Sequence, residues 1–196
     1  MIITNNILKN NLINFSNKNN KISRDVKKSK LFKIRNGLYE TDPNTPGYLL
    51  AGSIYGPSYL SFDYALSYYG LIPEKVSNYT SATYKKRKKK RYDNQFGVFL
   101  YRDVPSSVYP VCVSLVVEGE YSYQIATKEK ALCDKLYTLE PLHNLQELET
   151  MLFDDLRIDK EEFKKLDYKL VEKIASLYHS TNVDLLFKYI RRNYSE

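Results

Sequence analysis

The chain has 196 residues, 43% of them hydrophobic, which is enough to fill one or two small cores and excludes a largely disordered protein. No apolar run approaches the ~20 residues that a membrane-spanning helix needs, and the opening stretch, MIITNNILKN, lacks the apolar segment of a secretion signal. We therefore expect a cytoplasmic protein that does not associate with membranes.

The formal charge of +7 is concentrated in two segments. Residues 1–40 carry nine Lys or Arg and two acidic residues, a net charge equal to that of the whole chain. The run KKRKKKR (85–91) carries another +7, so the remainder of the chain is net acidic. Basic segments on an otherwise acidic body favour a polyanionic partner such as nucleic acid. The alternative is that both segments are simply solvated.

The amino-terminal residues predict two short helices. Apolar spacing predicts the first over 5–14, and SNKNN (16–20) predicts the turn that follows it. The second, basic helix is predicted over 21–30, with Ser23 as its N-cap because a serine hydroxyl can accept a free backbone N–H.

A hairpin is predicted directly after these helices. LFKIRNGLY (31–39) has strand-like runs on both sides of Asn36-Gly37, a pair that tolerates positive φ and is a strong hairpin signal. Helix, turn, basic helix and hairpin is the order of a winged helix-turn-helix. Residues 1–42 therefore predict an abbreviated winged helix-turn-helix, or alternatively a basic amino-terminal extension.

The next segment predicts a linker and two helices. TDPNTPG (41–47) is typical of a linker. In residues 48–74, Gly56-Pro57 should end one helix, and Ser61 should cap a second that Gly70 closes. An N-cap explains Ser61 better than a nucleophile does.

Strands are predicted next, followed by helices. Residues 79–102 predict a hairpin with a basic connection, and 108–126 predict a second strand pair that turns at Glu118-Gly119. From Thr127 onward the period becomes helical. The predicted helices cover 128–138, 144–153, 159–166, 167–179 and 182–193, with Asp159 and Asn182 as caps.

Together these elements predict an α+β fold. An abbreviated amino-terminal winged helix-turn-helix (1–42) precedes a mixed α/β domain (43–196) with antiparallel strands and a carboxy-terminal helical bundle.

The basic helix and hairpin supply candidate DNA-binding residues. Lysines suit phosphate contacts, whereas Arg24 and Arg35 are the better candidates for base contact because a guanidinium can pair with two acceptors on guanine. If about six of these cations neutralise phosphates, log K should fall with log salt with a slope near −5. The candidates are Lys21, Arg24, Lys27, Lys28, Lys33 and Arg35.

The lysine-rich run is a second candidate polyanion-binding or partner-binding site. Its seven like charges should keep an isolated loop extended, and the flanking Tyr84 and Tyr92 could stack on bases. The alternative is a solvated loop. Its residues are Lys85, Lys86, Arg87, Lys88, Lys89, Lys90 and Arg91.

Catalysis and metal binding find little support in the sequence. His143 and His179 fall in no metal-ligand pattern, and no catalytic motif or phosphate loop is present. Cys112 and Cys133 are expected to be buried and unpaired in a cytosolic protein. We expect a non-enzymatic protein with no cofactor and no metal.

The middle of the chain resembles the AbiEi family of abortive-infection antitoxins, also described as predicted transcriptional regulators of viral defence. The resemblance covers residues 31–140 and follows the order KIRNGLY, GSIYGPSYLSFDYALSYYGLIPE, a TSAT strand and IATKEKALCDKLY. The family commonly has Pro where this chain has Lys128. The most specific parts of the resemblance are Tyr59-Leu60-Ser61, Ala65-Leu66, Gly70-Leu71-Ile72, Glu129-Lys130-Ala131-Leu132 and Asp134.

The resemblance implies the antitoxin of a type IV toxin–antitoxin system. Such proteins bind inverted repeats in their own promoter through the amino-terminal domain and oppose a nucleotidyltransferase-like toxin through the carboxy-terminal part. The resemblance implies two partners, operator DNA and the cognate toxin. It also implies that the chain binds repeated operator half-sites as a homodimer or cooperatively.

Two alternatives stay open. The chain could neutralise its toxin directly through 80–137 without binding specific DNA, or it could bind RNA through the Lys/Tyr-rich loop.

Overall fold

The computed structural model describes residues 1–194, so the last two positions of the predicted 43–196 domain lie outside the described residues. The first elements form a small basic module with a three-stranded antiparallel sheet in the order β1-β3-β2. Its elements are β1 (Ile2–Thr4), α1 (Asn5–Asn11), α2 (Lys18–Lys27), β2 (Phe32–Arg35) and β3 (Leu38–Glu40).

Local sequence explains most of this module. Asn17 is the N-cap of α2, where its side chain accepts a hydrogen bond from Asn20 N at 3.0 Å. The prediction of Ser23 as the cap was wrong, because α2 begins five residues before it and Ser23 lies inside the helix. Gly37 has a φ of 76° in the predicted hairpin turn.

The amino-terminal module has a small core and also contacts the rest of the protein. Ile3, Leu8, Ile22 and Leu31 form a separate hydrophobic cluster. Ile34 and Leu38 of the hairpin, by contrast, pack into the main core of the protein. Two helices, a hairpin and a sheet of this order are compatible with a winged helix-turn-helix, which stays a prediction. The domain boundary between residues 42 and 43 also stays a prediction.

The predicted linker (41–47) is a loop with two buried residues among five exposed ones. Thr45 and Gly47 are buried, and Gly47 N donates to Tyr79 Oη at 3.3 Å. A 3₁₀ turn and three short elements follow the loop: Gly47–Leu49, α3 (Ala51–Ile54), β4 (Tyr59–Leu60) and α4 (Phe62–Tyr68). Gly70 has a φ of 72° just after α4, as expected for a glycine that ends a helix.

A six-stranded mixed sheet forms the centre of the protein, in the order β6-β7-β5-β4-β9-β8. The hairpin predicted over 79–102 was wrong in its pairing, because β5 and β7 lie side by side in parallel. The antiparallel partner of β7 is β6, which forms at the end of the lysine-rich run. The second predicted pair, β8 with β9, is confirmed as antiparallel. The strands are β5 (Asn78–Thr83), β6 (Lys90–Asn94), β7 (Gly97–Asp103), β8 (Val113–Glu118) and β9 (Tyr121–Ala126).

Helices form the carboxy-terminal part and cover part of the sheet. Asp159 caps α7, because its carboxylate accepts from the N–H groups of Glu161 and Glu162, as predicted. Asn182 is not a cap: its side chain donates to Leu136 O at 3.0 Å and accepts from Leu142 N at 2.7 Å. The helices are α5 (Lys128–Tyr137), α6 (Leu145–Thr150) with a π turn at Met151–Asp155, α7 (Lys160–Lys164), α8 (Tyr168–Ala175) and α9 (Thr181–Tyr194).

The predicted α+β class is thus confirmed, with helices concentrated after the central sheet. Sheet and helices share one continuous hydrophobic core. Cys133 is fully buried within it and Cys112 is half-buried, and both are free thiols. In the described part of the chain, no helix has the length and apolar character needed to cross a bilayer.

Candidate nucleic-acid interface

Helix α2 separates its apolar and basic residues onto different sides. Ile22 is only 3% exposed because it packs into the small amino-terminal core. Arg24, Lys27 and Lys28 are all exposed. Because the side of α2 that carries Ile22 packs into the module, these three cations on the helix are free to bind an anion.

Lys21 differs from the other predicted DNA-binding residues. It is half-buried, its Nζ lies 2.5 Å from Asp25 Oδ1, and it sits 5.7 Å from the centre of the Phe15 ring. An ion pair one helical turn apart stabilises the helix itself. Lys21 is thus occupied within α2 and is less available to a phosphate.

The hairpin presents two further cations. Lys33 and Arg35 are exposed on β2, and Ile34 between them is buried in the main core. The alternation follows from strand geometry, in which neighbouring side chains point to opposite faces. The side chain of Asn94 donates to Ile34 O at 3.0 Å and so fastens the hairpin to β6.

The lysine-rich run is folded around an acidic residue rather than extended. Both Lys86 N and Arg87 N donate to Asp103 Oδ2 at 2.7 Å, and Thr83 Oγ1 donates to Asp103 Oδ1 at 2.6 Å. Consecutive backbone N–H groups around one anion form a compact nest. An isolated loop with this sequence was expected to be extended; in the protein the run is folded because Asp103, which is close to it only in space, accepts two of its backbone N–H groups.

The folded run lines one side of a basic groove. The groove has a volume of about 340 Å³ and lies between the loop, the end of β7 and the end of α5. Among the predicted residues, Lys90 and Arg91 instead begin β6, where Arg91 Nε pairs with Asp93 Oδ2 at 2.9 Å. The lining residues of this basic groove are Arg87, Lys88, Lys89, Arg102, Asp103, Tyr137 and Thr138.

The tyrosines that flank the run are engaged inside the protein. The rings of Tyr84 and Tyr109 lie 4.3 Å apart, and the Tyr92 ring lies 6.0 Å from those of Tyr55 and Tyr101. Both flanking side chains are half-buried. They are therefore poorly placed to stack on nucleic-acid bases.

A buried polar cluster joins the two parts of the sequence that carry the family resemblance. Asp134 accepts hydrogen bonds from Lys130 Nζ at 2.8 Å, Ser61 Oγ at 2.7 Å and Tyr59 Oη at 3.0 Å. Tyr178 Oη donates to Asp134 Oδ1 at 2.6 Å. None of the five side chains is more than 2% exposed, so the cluster is an internal anchor that no substrate reaches.

The cluster also overturns the prediction that the Ser61 hydroxyl caps α4. Ser61 does occupy the N-cap position, but its hydroxyl makes no capping bond. Thr80 Oγ1 instead accepts from Tyr64 N at 3.0 Å. Burial, together with the charge of Asp134, raises the pKa of both Tyr59 and Tyr178 well above 10, so both stay neutral donors.

No protein-family model matches this chain, and no curated protein matches it. The relationship to the AbiEi family therefore stays a prediction.

Sequence reasoning did not find Arg102, Tyr137 or Tyr178. Arg102 is a single cation inside an apolar strand, and its importance depends on the pairing of β7, which was predicted wrongly. Tyr178 is one of 19 tyrosines and lies 44 positions from Asp134, so no local pattern marks it. Within residues 1–194, no group of three or more His, Cys, Asp or Glu is placed to hold a metal ion.

Proposed function

We propose that this chain is a cytoplasmic, non-catalytic antitoxin and transcriptional autoregulator of the AbiEi type, which binds operator DNA and opposes a nucleotidyltransferase-like toxin. The observation that carries the proposal is the exposure of Arg24, Lys27 and Lys28 on a helix whose Ile22 is buried. This arrangement gives α2 the basic surface that a recognition helix needs.

The buried cluster supports the family part of the proposal. The two motif segments, YLS at 59–61 and EKALCD at 129–134, supply Tyr59, Ser61, Lys130 and Asp134 to one hydrogen-bonded group. Residues that must meet in the core have a physical reason to occur together. The ordered set of motifs is therefore more informative than its separate pieces.

The DNA contacts divide by side-chain chemistry. Lys27, Lys28 and Lys33 are assigned to phosphates, and Arg24 and Arg35 to base edges or to the backbone. Because Lys21 is paired with Asp25, five predicted cations remain, for which the slope of log K against log salt is roughly −4.5. A dimer, or cooperative binding to repeated half-sites, would match inverted repeats in the operator.

The test is a mobility shift with the DNA upstream of the gene against a scrambled duplex of the same length, across a salt series. Reversing charge in Arg24→Glu, Lys27→Glu and Lys28→Glu together should abolish the specific complex. A matched control reverses three exposed cations elsewhere, Lys169→Glu, Lys173→Glu and Arg192→Glu.

The outcomes separate specific from non-specific binding. Retention of the upstream DNA near physiological salt, lost only in the α2 variant, supports the proposal. Equal retention of both duplexes, or equal loss in the two triple variants, contradicts it. Protection from the toxin in a co-expression growth assay should survive the α2 substitutions.

A second candidate function is direct neutralisation of the toxin through residues 80–137 without specific DNA binding. The observation that favours it is the edge strand β8, on which Leu115 is 66% and Val117 71% exposed. An edge strand with exposed apolar side chains can pair with a strand of another protein. The opposite edge, β6, carries Lys90, Arg91 and Asp93 and is protected by charge.

Toxin protection tests this second function. If β8 binds the toxin, Leu115→Lys with Val117→Lys should abolish protection, whereas Ser176→Lys, an exposed position after α8, should leave it intact. Full protection by the β8 variant excludes this strand as the site of neutralisation.

A further inference from the structure

The basic groove contains four cations that are not neutralised within the protein. In the described residues, no ion pair involves the side chains of Arg87, Lys88, Lys89 or Arg102. All four are exposed. Like charges held around one concave surface raise the local concentration of anions.

Asp103 organises the groove more than it neutralises it. Its two carboxylate oxygens are already occupied by Thr83 Oγ1 and by the N–H groups of Lys86 and Arg87. Lys85 and Arg87 adopt left-handed backbone conformations, with φ of 54° and 55°, which allow both N–H groups to reach one oxygen. The loop is thus held in place by its backbone, while the side chains of Arg87, Lys88 and Lys89 are exposed.

Arg102 lies at the centre of a larger concave surface. It lines the groove of about 340 Å³, a neighbouring recess of about 190 Å³ and a small pocket of about 60 Å³. Lys89 borders the recess, and Lys135 borders the small pocket, where its Nζ is paired with Asp63 at 2.6 Å. Arg102 therefore borders all three spaces in which an anion could bind.

The size and chemistry of the groove favour a nucleotide. Small-molecule sites have volumes of ~300–1,000 Å³, whereas a protein partner needs a flat surface of ~800 Å². A guanidinium matches two phosphate oxygens with parallel hydrogen bonds, and lysines add point charges. The Tyr137 ring lies 5.9 Å from that of Tyr178, yet the residue lines the groove and stays 36% exposed, so a base can stack on its exposed part.

We propose that the basic groove binds the phosphate groups of a nucleotide, either free or as part of a single strand, with Arg102 as the central contact and Tyr137 beneath the base. This site is separate from the α2 surface proposed to bind operator duplex. The two proposals therefore succeed or fail independently.

The experiment measures affinity by isothermal titration calorimetry with the full chain. The probes are ATP, inorganic triphosphate, a single-stranded RNA hexamer and a DNA duplex of scrambled sequence, all at one salt concentration. Arg102→Gln should weaken binding of ATP or the hexamer roughly tenfold, since a charge-assisted contact is lost. Arg192→Gln, at another exposed arginine that lies outside the groove, should change it less than about twofold.

Tyr137→Leu separates base stacking from charge. It should weaken ATP or hexamer binding severalfold and leave triphosphate binding unchanged, because triphosphate has no base. Tight ATP binding identifies a free nucleotide as the ligand, whereas hexamer binding without ATP binding identifies a strand.

Three results would overturn the proposal: neither ATP nor the hexamer binds, only the duplex binds, or Arg102→Gln behaves like Arg192→Gln. Loss of duplex binding in the α2 variant, with nucleotide binding intact, would confirm that the two sites are separate.

Discussion

Ser61 and Asp134 are 73 positions apart in the sequence and are joined by a hydrogen bond of 2.7 Å from Ser61 Oγ to Asp134 Oδ2. The bond connects the start of α4 to the middle of α5. The same carboxylate also holds Lys130 through an ion pair of 2.8 Å between side chains that are both 0% exposed. Asp134 thus accepts hydrogen bonds from several elements of the core.

Asp134→Asn should strongly destabilise the protein. The substitution leaves the Lys130 ammonium without its counter-charge in the core, and breaking one half of a buried ion pair costs about 3–5 kcal/mol. Urea denaturation followed by circular dichroism measures the loss as a lower midpoint.

A double variant shows whether the cost comes from the unpaired charge. Lys130→Met with Asp134→Leu removes both charges and should recover much of the stability, because an apolar pair avoids the desolvation penalty. Lys173→Gln, an exposed lysine, should stay within about 0.5 kcal/mol of the natural chain. An Asp134→Asn protein within 1 kcal/mol of the natural chain would show that Lys130 is satisfied without Asp134.

Several features determined by neighbouring residues were predictable from the sequence, although the N-cap of α2 was not. Gly37 and Gly119 have positive φ at two of the predicted turns, and Asp159 caps α7 as expected. The exposure of Arg24, Lys27 and Lys28 also follows from the helical pattern around Ile22. In each case the signal and the structure lie within a few residues of each other.

Features determined by distant partners were not predictable. Ser61 and Asn182 both have good capping side chains, yet both bond to residues of or near α5. The parallel pairing of β5 and β7 and the bond of Asp103 to the lysine-rich loop depend on how the sheet assembles. For this reason the sequence predicted the basic residues of the groove loop but not Arg102 opposite them.

Asp103→Ala should loosen the lysine-rich loop and weaken nucleotide binding in the groove. The N–H groups of Lys86 and Arg87 lose their acceptor, so their amide hydrogens should exchange faster with solvent. Charge counting alone predicts tighter anion binding after an acidic residue is removed. Weaker binding would therefore show that the position of the cations matters more than their number.

Hydrogen exchange read by mass spectrometry, together with calorimetry, measures both effects. Glu172→Ala is the control, since Glu172 is an exposed acidic residue on α8 whose loss changes the net charge equally. If the two variants show the same exchange in residues 85–89, Asp103 does not organise the loop.

Gly47→Ala should destabilise the protein because the loop before α3 has no room for a side chain. A Cβ at Gly47 would lie 2.6 Å from the carbonyl oxygen of Phe96 and would also overlap the Tyr79 ring. Overpacking of this kind costs roughly 1–3 kcal/mol. Gly52→Ala provides the comparison, since no atom lies within 4 Å of the added Cβ and alanine favours the helix. Equal unfolding midpoints for the two variants would mean that the loop moves aside at little cost.

Tyrosines whose pKa is raised in the folded protein should make it less stable in alkali. Burial raises the pKa of Tyr109 to about 12, and burial with the hydrogen bond to Glu118 raises the pKa of Tyr48 to about 12. An unfolded tyrosine ionises near pH ~10, so between pH 10 and about 12 the folded chain binds more protons than the unfolded chain. The free energy of unfolding is therefore unaffected by these groups below pH ~10 and falls as the pH rises above it.

Absorbance at 295 nm, which reports ionised tyrosine, and far-ultraviolet circular dichroism should be recorded together during an alkaline titration. The exposed tyrosines should ionise first, and the buried group, which includes Tyr59 and Tyr178, should ionise only as the helical signal is lost. Ionisation of all 19 tyrosines near pH ~10 with an unchanged helical signal would contradict the packing described for these rings.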